Sequence, residues 1–228
     1  MSDELILVVE DEEDIQELLE YTLTSAGYRV DVTDRGEEAL ELVQENDPSL
    51  MVLDLMLPGL DGLEVCRRLK SDEKTARLPI IILTAKGEEE DIIAGFKAGA
   101  DDYINKPFSP KVLAARVAAV LRRSPDHRPD AEGALSYGEI HIHPGRFEVR
   151  VDSELVNLTH TEFRILQFLT SRPGWVFSRN QIVRAVHGED YPVTGRSVDV
   201  QVASLRKKLG NAANHITTVR GVGYKLGE

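Results

Sequence analysis

Residues 50–62 read LMVLDLMLPGLDG. From Leu50 to Leu53 the run is apolar without alternation, and it ends on a carboxylate, Asp54. A strand covered on both faces of a parallel sheet has that composition, whereas a strand with one wet face alternates. Pro58, Gly59 and Asp61-Gly62 then mark a loop, and Val65 and Leu69 follow at helical spacing. Strand, loop and helix in immediate succession make a βα unit. The same unit recurs on either side, with strand candidates LILVV (5–9), YRVDV (28–32), PIIIL (79–83) and DYIN (102–105). Leu18, Leu19, Leu23 and Ala26 predict one helical core face with Gly27 as its C-cap, and Ala39, Leu40 and Val43 predict a second. Helices are also expected over 88–98 and 109–123, the latter with Ser109 and Pro110 as N-cap and first residue. Five such units predict an α/β doubly wound five-stranded parallel sheet. Its site should lie outside the carboxyl ends of the strands.

The chain has 228 residues, 42% hydrophobic and 29% charged, which suits a soluble globular protein with room for two domains. No apolar run approaches the length of a membrane span. The acidic start MSDELILVVEDE lacks the basic region of an export signal. The lone Cys66 excludes an internal disulfide framework and a cysteine-based zinc cluster. A cytoplasmic protein without membrane attachment is expected. The net charge of −12 divides unevenly: residues 1–123 carry −13, residues 124–134 carry −2 and residues 135–228 carry +3. An acidic front and a mildly basic back predict two different tasks.

Residues 124–134, SPDHRPDAEGA, hold two prolines and a glycine but no large apolar side chain, and they predict a linker between domains 1–123 and 135–228. Beyond it, strands are expected over 139–143, 147–151 and 154–158, helices over 161–171, 179–186 and 197–209, and a closing hairpin around Gly221 and Gly223. A small sheet, three helices and a terminal hairpin describe an α+β winged-helix domain.

Glu10, Asp11 and Asp54 end two of the predicted parallel strands, Thr84 ends the next, and Lys106 follows the last. One strand-end acid is ordinarily a helix cap or a solvated loop residue. Crowded carboxylates, by contrast, repel unless a cation joins them, and all-oxygen ligands suit Mg²⁺. Lys106 adds a movable positive charge and Thr84 a hydroxyl donor. Together they make Asp54 a candidate acceptor for in-line phosphoryl transfer.

The stretches VVEDEEDI, LDLMLPGLDG, ILTA and DDYINKPFSP resemble a response-regulator receiver domain, which has a flavodoxin-like fold. End to end, the chain resembles the OmpR/PhoB-type transcription factors of two-component systems. The resemblance implies that a sensor histidine kinase phosphorylates Asp54. Mg²⁺ would be held by Glu10, Asp11, Asp54 and the main-chain carbonyl of Met56. Thr84 and Lys106 would contact the phosphoryl oxygens, Thr84 and Tyr103 would form the switch, and the Lys106–Pro107 bond would be cis. It also implies a homodimer through the fourth helix, fifth strand and fifth helix. Asp102 and Arg116 match an intermolecular ion pair there. Ile92 and Val112 stand where relatives carry a base and an acid, so with Ile93 and Phe96 the expected face is unusually apolar.

Within RSVDVQVASLRKKLG (196–210), Val198, Val202, Leu205 and Leu209 make a core stripe. The resemblance makes this the recognition helix for double-stranded DNA. Arg196, Ser197, Val200, Gln201, Ser204, Arg206 and Lys207 would be the contacts, with Thr218 and Arg220 in the hairpin. Gln201 stands where histidine is frequent, and Ala203 and Ser204 where arginines are common. Both departures weaken phosphate attraction and alter base readout. Two tandem half-sites are expected. The loop HGEDYPVTG (187–195) resembles a segment that touches RNA polymerase in some relatives, with His187 where a tryptophan is usual. Two other classes compete. A Mg²⁺-dependent aspartyl-phosphate phosphohydrolase needs a second Asp two residues after the nucleophile, and Met56 stands there. A receiver acting by protein contact alone would not need the basic winged-helix half. A non-enzymatic regulator is expected.

Overall fold

The computed structural model describes residues 4–85, 89–121, 134–188 and 196–227, without the side chains of residues 89–92 and 196. The chain divides into two units, 1–122 and 123–228. All but the last residue of the 124–134 segment lies outside the described residues.

In the first unit β1 (Leu5–Val9), β2 (Arg29–Thr33), β3 (Leu50–Asp54), β4 (Ile80–Thr84) and β5 (Asp102–Asn105) alternate with α1 (Glu13–Ser25), α2 (Gly36–Asn46), α3 (Gly62–Ser71), α4 (Glu89–Ala98) and α5 (Pro110–Leu121). The strands pair in parallel in the order β2-β1-β3-β4-β5. Every residue of β1, β3 and β4 is buried, which is why these runs do not alternate. The order reverses at β1, so the carboxyl ends of β1 and β3 flank the switch-point crevice. The face of α1 differs from expectation. Leu19, Thr22 and Leu23 turn inward, while Leu18 and Ala26 are exposed. The i, i+3, i+4 set built on Leu19 admits Thr22, a polar residue that the apolar pattern passes over.

Two features hold α3 against the sheet. Gly62 opens the helix with its N–H on the Leu55 carbonyl at 3.1 Å, and a Cβ added there would lie 1.9 Å from the Asp54 carbonyl oxygen. At the other end, the buried Lys70 ammonium reaches Asp101 Oδ2 and the Leu78 carbonyl at 2.7 Å each and the Ala76 carbonyl at 3.4 Å. Asp101 Oδ2 also accepts the Ile80 N–H at 3.0 Å. A buried ion pair supplied with further hydrogen bonds fixes geometry more than it adds stability. Burial pushes the neighbouring Cys66 thiol up to about 12, which keeps it unreactive at neutral pH.

The second unit starts with a four-stranded antiparallel sheet of β6 (Leu135–Tyr137), β7 (Ile140–His143), β8 (Glu148–Val151) and β9 (Glu154–Leu155). Next come α6 (His160–Thr170), β10 (Phe177–Ser178), α7 (Arg179–His187) and α8 (Arg196–Leu209). A 3-10 segment (Gly210–His215) leads into the hairpin of β11 (Ile216–Val219) and β12 (Gly223–Leu226). Here β9 is shorter than the strand expected over 154–158, because Thr159 and Glu162 close a capping box that starts α6. The two-residue β10 is too brief to leave a periodic signal. It pairs Phe177 with Tyr224 and Ser178 with Gly223, giving a sheet of order β10-β12-β11. Only glycine permits that approach, since a Cβ on Gly223 would lie 2.0 Å from the Phe177 carbonyl oxygen. Both faces of this unit close over one core that includes Ile140, Phe163, Leu166, Ile182, Val202 and Leu205.

Candidate functional site

At the carboxyl edge of the parallel sheet, Asp54 is only 3% exposed. Its Oδ1 accepts the Met56 N–H at 3.0 Å, and its Oδ2 lies 2.5 Å from Lys106 Nζ. The same ammonium reaches Glu10 Oε1 at 2.7 Å and Glu12 Oε1 at 3.5 Å. Lys106 is steered there from the end of β5, where its N–H donates to the Thr84 carbonyl at 2.7 Å and the next peptide bond, to Pro107, is cis. Thr84 is buried at the end of β4. Glu10 continues the β1 frame, its N–H on the Thr33 carbonyl at 3.1 Å, while the Gln16 amide donates to the Glu10 carbonyl.

Electrostatics follow from this crowding. Burial pushes the Glu10 carboxyl up to about 7; Lys106 opposes that shift and the negative charge of Asp54 adds to it. Burial would lower the Lys106 ammonium, but its bonds and proximity to Asp54 and Glu10 outweigh this and hold it above its ordinary range.

Carboxylate oxygens of Glu10, Glu12 and Asp54 converge within 4.8 Å of one another. Glu10 Oε2 is buried without a hydrogen-bond partner among the described residues. An all-oxygen donor set with one orphaned carboxylate oxygen fits a hard divalent cation. Asp11 is exposed and stands outside this convergence, in which Glu12 lies beside Glu10. The acidic run EDEED contains both residues, and only the turn between β1 and α1 distinguishes them. Met56 is exposed, and its N–H already points to Asp54.

Tyr103 is buried on β5, with its ring beside Gly95 of α4. The ring therefore already lies inside in this chain. Asp102 is likewise buried, and Arg116 Nη1 donates to both its oxygens, at 2.9 and 3.1 Å. A pair expected to bridge two chains is thus closed within one. Phe96, expected on an apolar pairing face, is 3% exposed because α4 packs so tightly on β4 that a Cβ at Gly95 would meet the Ile82 side chain. Ile93 is half-buried, Val112 is exposed, and the side chain of Ile92 lies outside the described residues.

In the second unit α8 presents four rows, since successive residues turn by about 100°. Val198, Val202, Leu205 and Leu209 are buried in the core. The next row, Ser197, Gln201, Ser204 and Lys208, turns toward α6. Ser204 Oγ donates to Glu162 Oε1 at 2.6 Å and Lys208 Nζ to Glu162 Oε2 at 2.7 Å. Ser197 and Gln201 are 4% and 3% exposed, so these two expected DNA contacts are turned inward, and Ser204 is spent on Glu162. The outward row is 196, 200, 203 and 207, with Val200 half-buried and Ala203 and Lys207 exposed; the Arg196 side chain lies outside the described residues. The fourth row holds Asp199 and Arg206. Arg206 donates to the Ile216 carbonyl, at 2.6 Å from Nη2, and to Thr218 Oγ1 at 2.8 Å, which ties α8 to the hairpin. Thr218 and Arg220 are exposed there. Residues 189–195 of the loop before α8 lie outside the described residues, and His187 closes α7.

Comparison with known proteins places both units. Residues 6–118 match the response regulator receiver domain, and residues 152–226 match the transcriptional regulatory protein C-terminal domain. The chain is 49% identical over 224 residues to the phosphate regulon transcriptional regulatory protein PhoB of Rhizobium meliloti, covering 97% of each. It is 42% identical to the alkaline phosphatase synthesis transcriptional regulatory protein PhoP of Bacillus subtilis, covering 98% of this chain and 96% of that one. Among solved structures, the response regulator DrrB of Thermotoga maritima, described as an OmpR/PhoB homologue, matches over all of both chains with 32% identity and a TM-score of 0.52. With the acidic crevice in one unit and the helix and hairpin in the other, the chain belongs to the OmpR/PhoB family of two-component response regulators, joining a receiver domain to a winged-helix DNA-binding domain.

Proposed function

We propose that a sensor histidine kinase phosphorylates Asp54, and that the phosphorylated chain pairs through its receiver and binds tandem half-sites in double-stranded DNA. The observation that carries this reading is the buried Asp54 carboxylate, 2.5 Å from the Lys106 ammonium and beside the orphaned oxygen of Glu10. An Asp54 oxygen attacks phosphorus in line, the O–P bond forms as the P–N bond to the donor imidazole breaks, and the electron pair returns to that nitrogen. Lys106 and the Thr84 hydroxyl then face the added charge. Glu10, Asp54 and the Met56 carbonyl, with Asp11 or Glu12, would hold Mg²⁺, which when bound supplies charge neutralisation. Burial of the new phosphoryl group biases Thr84 and Tyr103, and through them α4, β5 and α5. Ile93 and Val112, with Ile92, form the pairing face, and the Asp102–Arg116 pair must open before it can bridge two chains. Arg196, Val200 and Lys207 of the outward row face DNA, with Thr218 and Arg220 in the hairpin and Arg206 bracing them. Val200 and Ala203 suit thymine methyl groups better than a hydrogen-bonding base edge.

With methionine at position 56 and transcriptional regulators as relatives, the chain works as a switch rather than as a phosphatase. Its setting is the cytoplasm, and RNA polymerase is a second partner. No helix among the described residues is long and apolar enough to cross a membrane. The test is selection of genomic fragments by the full chain, with and without beryllofluoride and Mg²⁺. Tandem repeats enriched only in the activated sample are expected. Equal enrichment in both samples would break the link between Asp54 and DNA.

The raised Glu10 carboxyl sets a pH dependence. Its pKa is about 7 in the folded chain against an ordinary 4.5, so the folded state binds more protons between those values. In the metal-free protein this contribution to stability is present below pH 4.5 and is lost as pH rises through about 7. A cation requires the deprotonated carboxylate, so Mg²⁺ affinity should rise from pH 6 to pH 8 by about tenfold. Calorimetric titration at the two pH values checks this; equal affinities would remove Glu10 from the metal site.

A further inference from the structure

Residues 55–61 run from the end of β3 to α3 with both ends tied. Asp54 Oδ1 accepts the Met56 N–H at 3.0 Å, the Leu55 carbonyl accepts the Gly62 N–H at 3.1 Å, and Asp61 Oδ1 caps α3 on the Glu64 N–H at 2.9 Å. One further bond leaves this stretch. Glu37 Oε1, in the first turn of α2, accepts the Leu60 N–H at 3.1 Å. Among the described residues, it is the hydrogen bond that joins 56–61 to an element other than β3 and α3. Two glycines permit the approach. A Cβ on Gly36 would lie 2.4 Å from the Leu60 carbonyl oxygen and 2.8 Å from Val65 Cγ2. Gly59 stands at φ +80°, and a Cβ there would lie 3.0 Å from Glu37 Oε1. Backbone therefore meets backbone at 36 and 60, and the Glu37 carboxylate lies beside Gly59.

Met56 lies inside this stretch, and its carbonyl is the main-chain ligand of the proposed Mg²⁺ site. A ligand oxygen carried on a loop is only as well placed as the loop, which is why the groups that orient ligands matter nearly as much as the ligands. Leu57 is buried and Pro58 has a fixed φ, so a restraint at Leu60 is passed back toward Met56 through a short, stiff segment. We propose that Glu37 is a positioning residue for phosphoryl transfer at Asp54: its carboxylate oxygen holds the Leu60 N–H and thereby holds the Met56 carbonyl in place for the metal. The rival account makes Glu37 one of the two acids, with Glu38, that favour the positive end of the α2 dipole. In that account the charge matters and the bond to Leu60 does not.

Two substitutions separate the accounts. Glu37→Asp keeps the charge in the first helical turn but is one methylene short of the Leu60 N–H. Glu37→Gln loses the charge but keeps an acceptor oxygen at full reach. Glu37 is exposed, so neither variant strands a buried group. The full-length chain and both variants are compared by calorimetric titration with Mg²⁺, by the rate of labelling from radiolabelled acetyl phosphate, by hydrogen exchange at the Leu60 amide and by thermal melting. In Glu37→Asp the Leu60 amide should exchange faster, and Mg²⁺ affinity and labelling rate should each fall by about threefold to tenfold. Glu37→Gln should restore both to within about twofold of wild type. Wild-type affinity and rate in Glu37→Asp would overturn the proposal, even with a lowered melting temperature, because Glu37 would then be a structural contact only. Losses in Glu37→Gln as large as those in Glu37→Asp would overturn it in favour of the charge. The inference rests on the proposed roles of Asp54 and Mg²⁺. A wild type that neither binds Mg²⁺ nor is labelled would sink that reading and this one with it, whereas a normal wild type with an unimpaired Glu37→Asp sinks only the role of Glu37.

Discussion

Asparagine at position 54 is expected to reduce phosphoryl labelling to background while leaving the fold intact. Asp54→Asn keeps an oxygen to accept the Met56 N–H, so the turn after β3 retains its hydrogen bond. It removes the nucleophilic carboxylate oxygen that faces Lys106 Nζ at 2.5 Å, and a neutral amide does not attack phosphorus. Lys106 remains bonded to Glu10, so no buried charge is stranded. The measurement is incorporation of radiolabel from a phosphorylated histidine kinase or a small phosphoryl donor, with Mg²⁺, into wild type and variant. Near-complete loss is expected, with an unchanged circular dichroism spectrum and unchanged binding to a mixed-sequence duplex. Labelling that persists in the variant would move the acceptor to another residue and undo the assignment of the crevice.

Alanine at position 62 should be the most damaging conservative change in the receiver. The added Cβ would lie 1.9 Å from the Asp54 carbonyl oxygen, 2.8 Å from its carbonyl carbon and 2.9 Å from Leu55 Cα. All three are backbone atoms at the end of β3 and cannot rotate aside. Either α3 withdraws, at the expense of buried Val65, Cys66 and Leu69, or the end of β3 shifts and carries Asp54 with it. Overpacking of this kind costs roughly 1–3 kcal/mol and more where only backbone can yield. The expected result is a receiver destabilised by about 3 kcal/mol and labelled slowly even when folded. Trp175, the only tryptophan, lies in the second unit, so its fluorescence follows that unit alone. In Gly62→Ala the circular dichroism melt should therefore gain an early transition that tryptophan fluorescence does not follow. A single, unshifted transition in both signals would show that the loop has room to move.

Much of this was legible in one dimension. Non-alternating runs such as LMVLD and PIIIL have no wet face, which required a sheet covered on both sides, and strands β3 and β4 are buried throughout. The crevice was legible because strand ends in a parallel sheet share an edge. Asp54, Thr84 and Lys106 come together from positions 54, 84 and 106 for that topological reason. The core stripe of α8 followed from helical spacing. Short pairings left no comparable trace, as the two residues of β10 illustrate.

What the sequence by itself determined is the order of elements in the first unit, the edge on which Asp54 stands and which residues of α8 share a row. Those properties depend on the backbone periods of strand and helix, which are local. Which row of α8 faces outward was decided only by tertiary contact. Ser204 and Lys208 meet Glu162 across 42 and 46 positions and Arg206 meets the hairpin, so both polar rows are engaged within the unit and Gln201 is buried. The approach of Glu12 to Glu10, and the closing of Asp102 on Arg116 within one chain, have the same origin. Each is a competition among side chains of similar chemistry for one partner, and distance settles it. Distance between residues far apart in sequence exists only once the chain has folded.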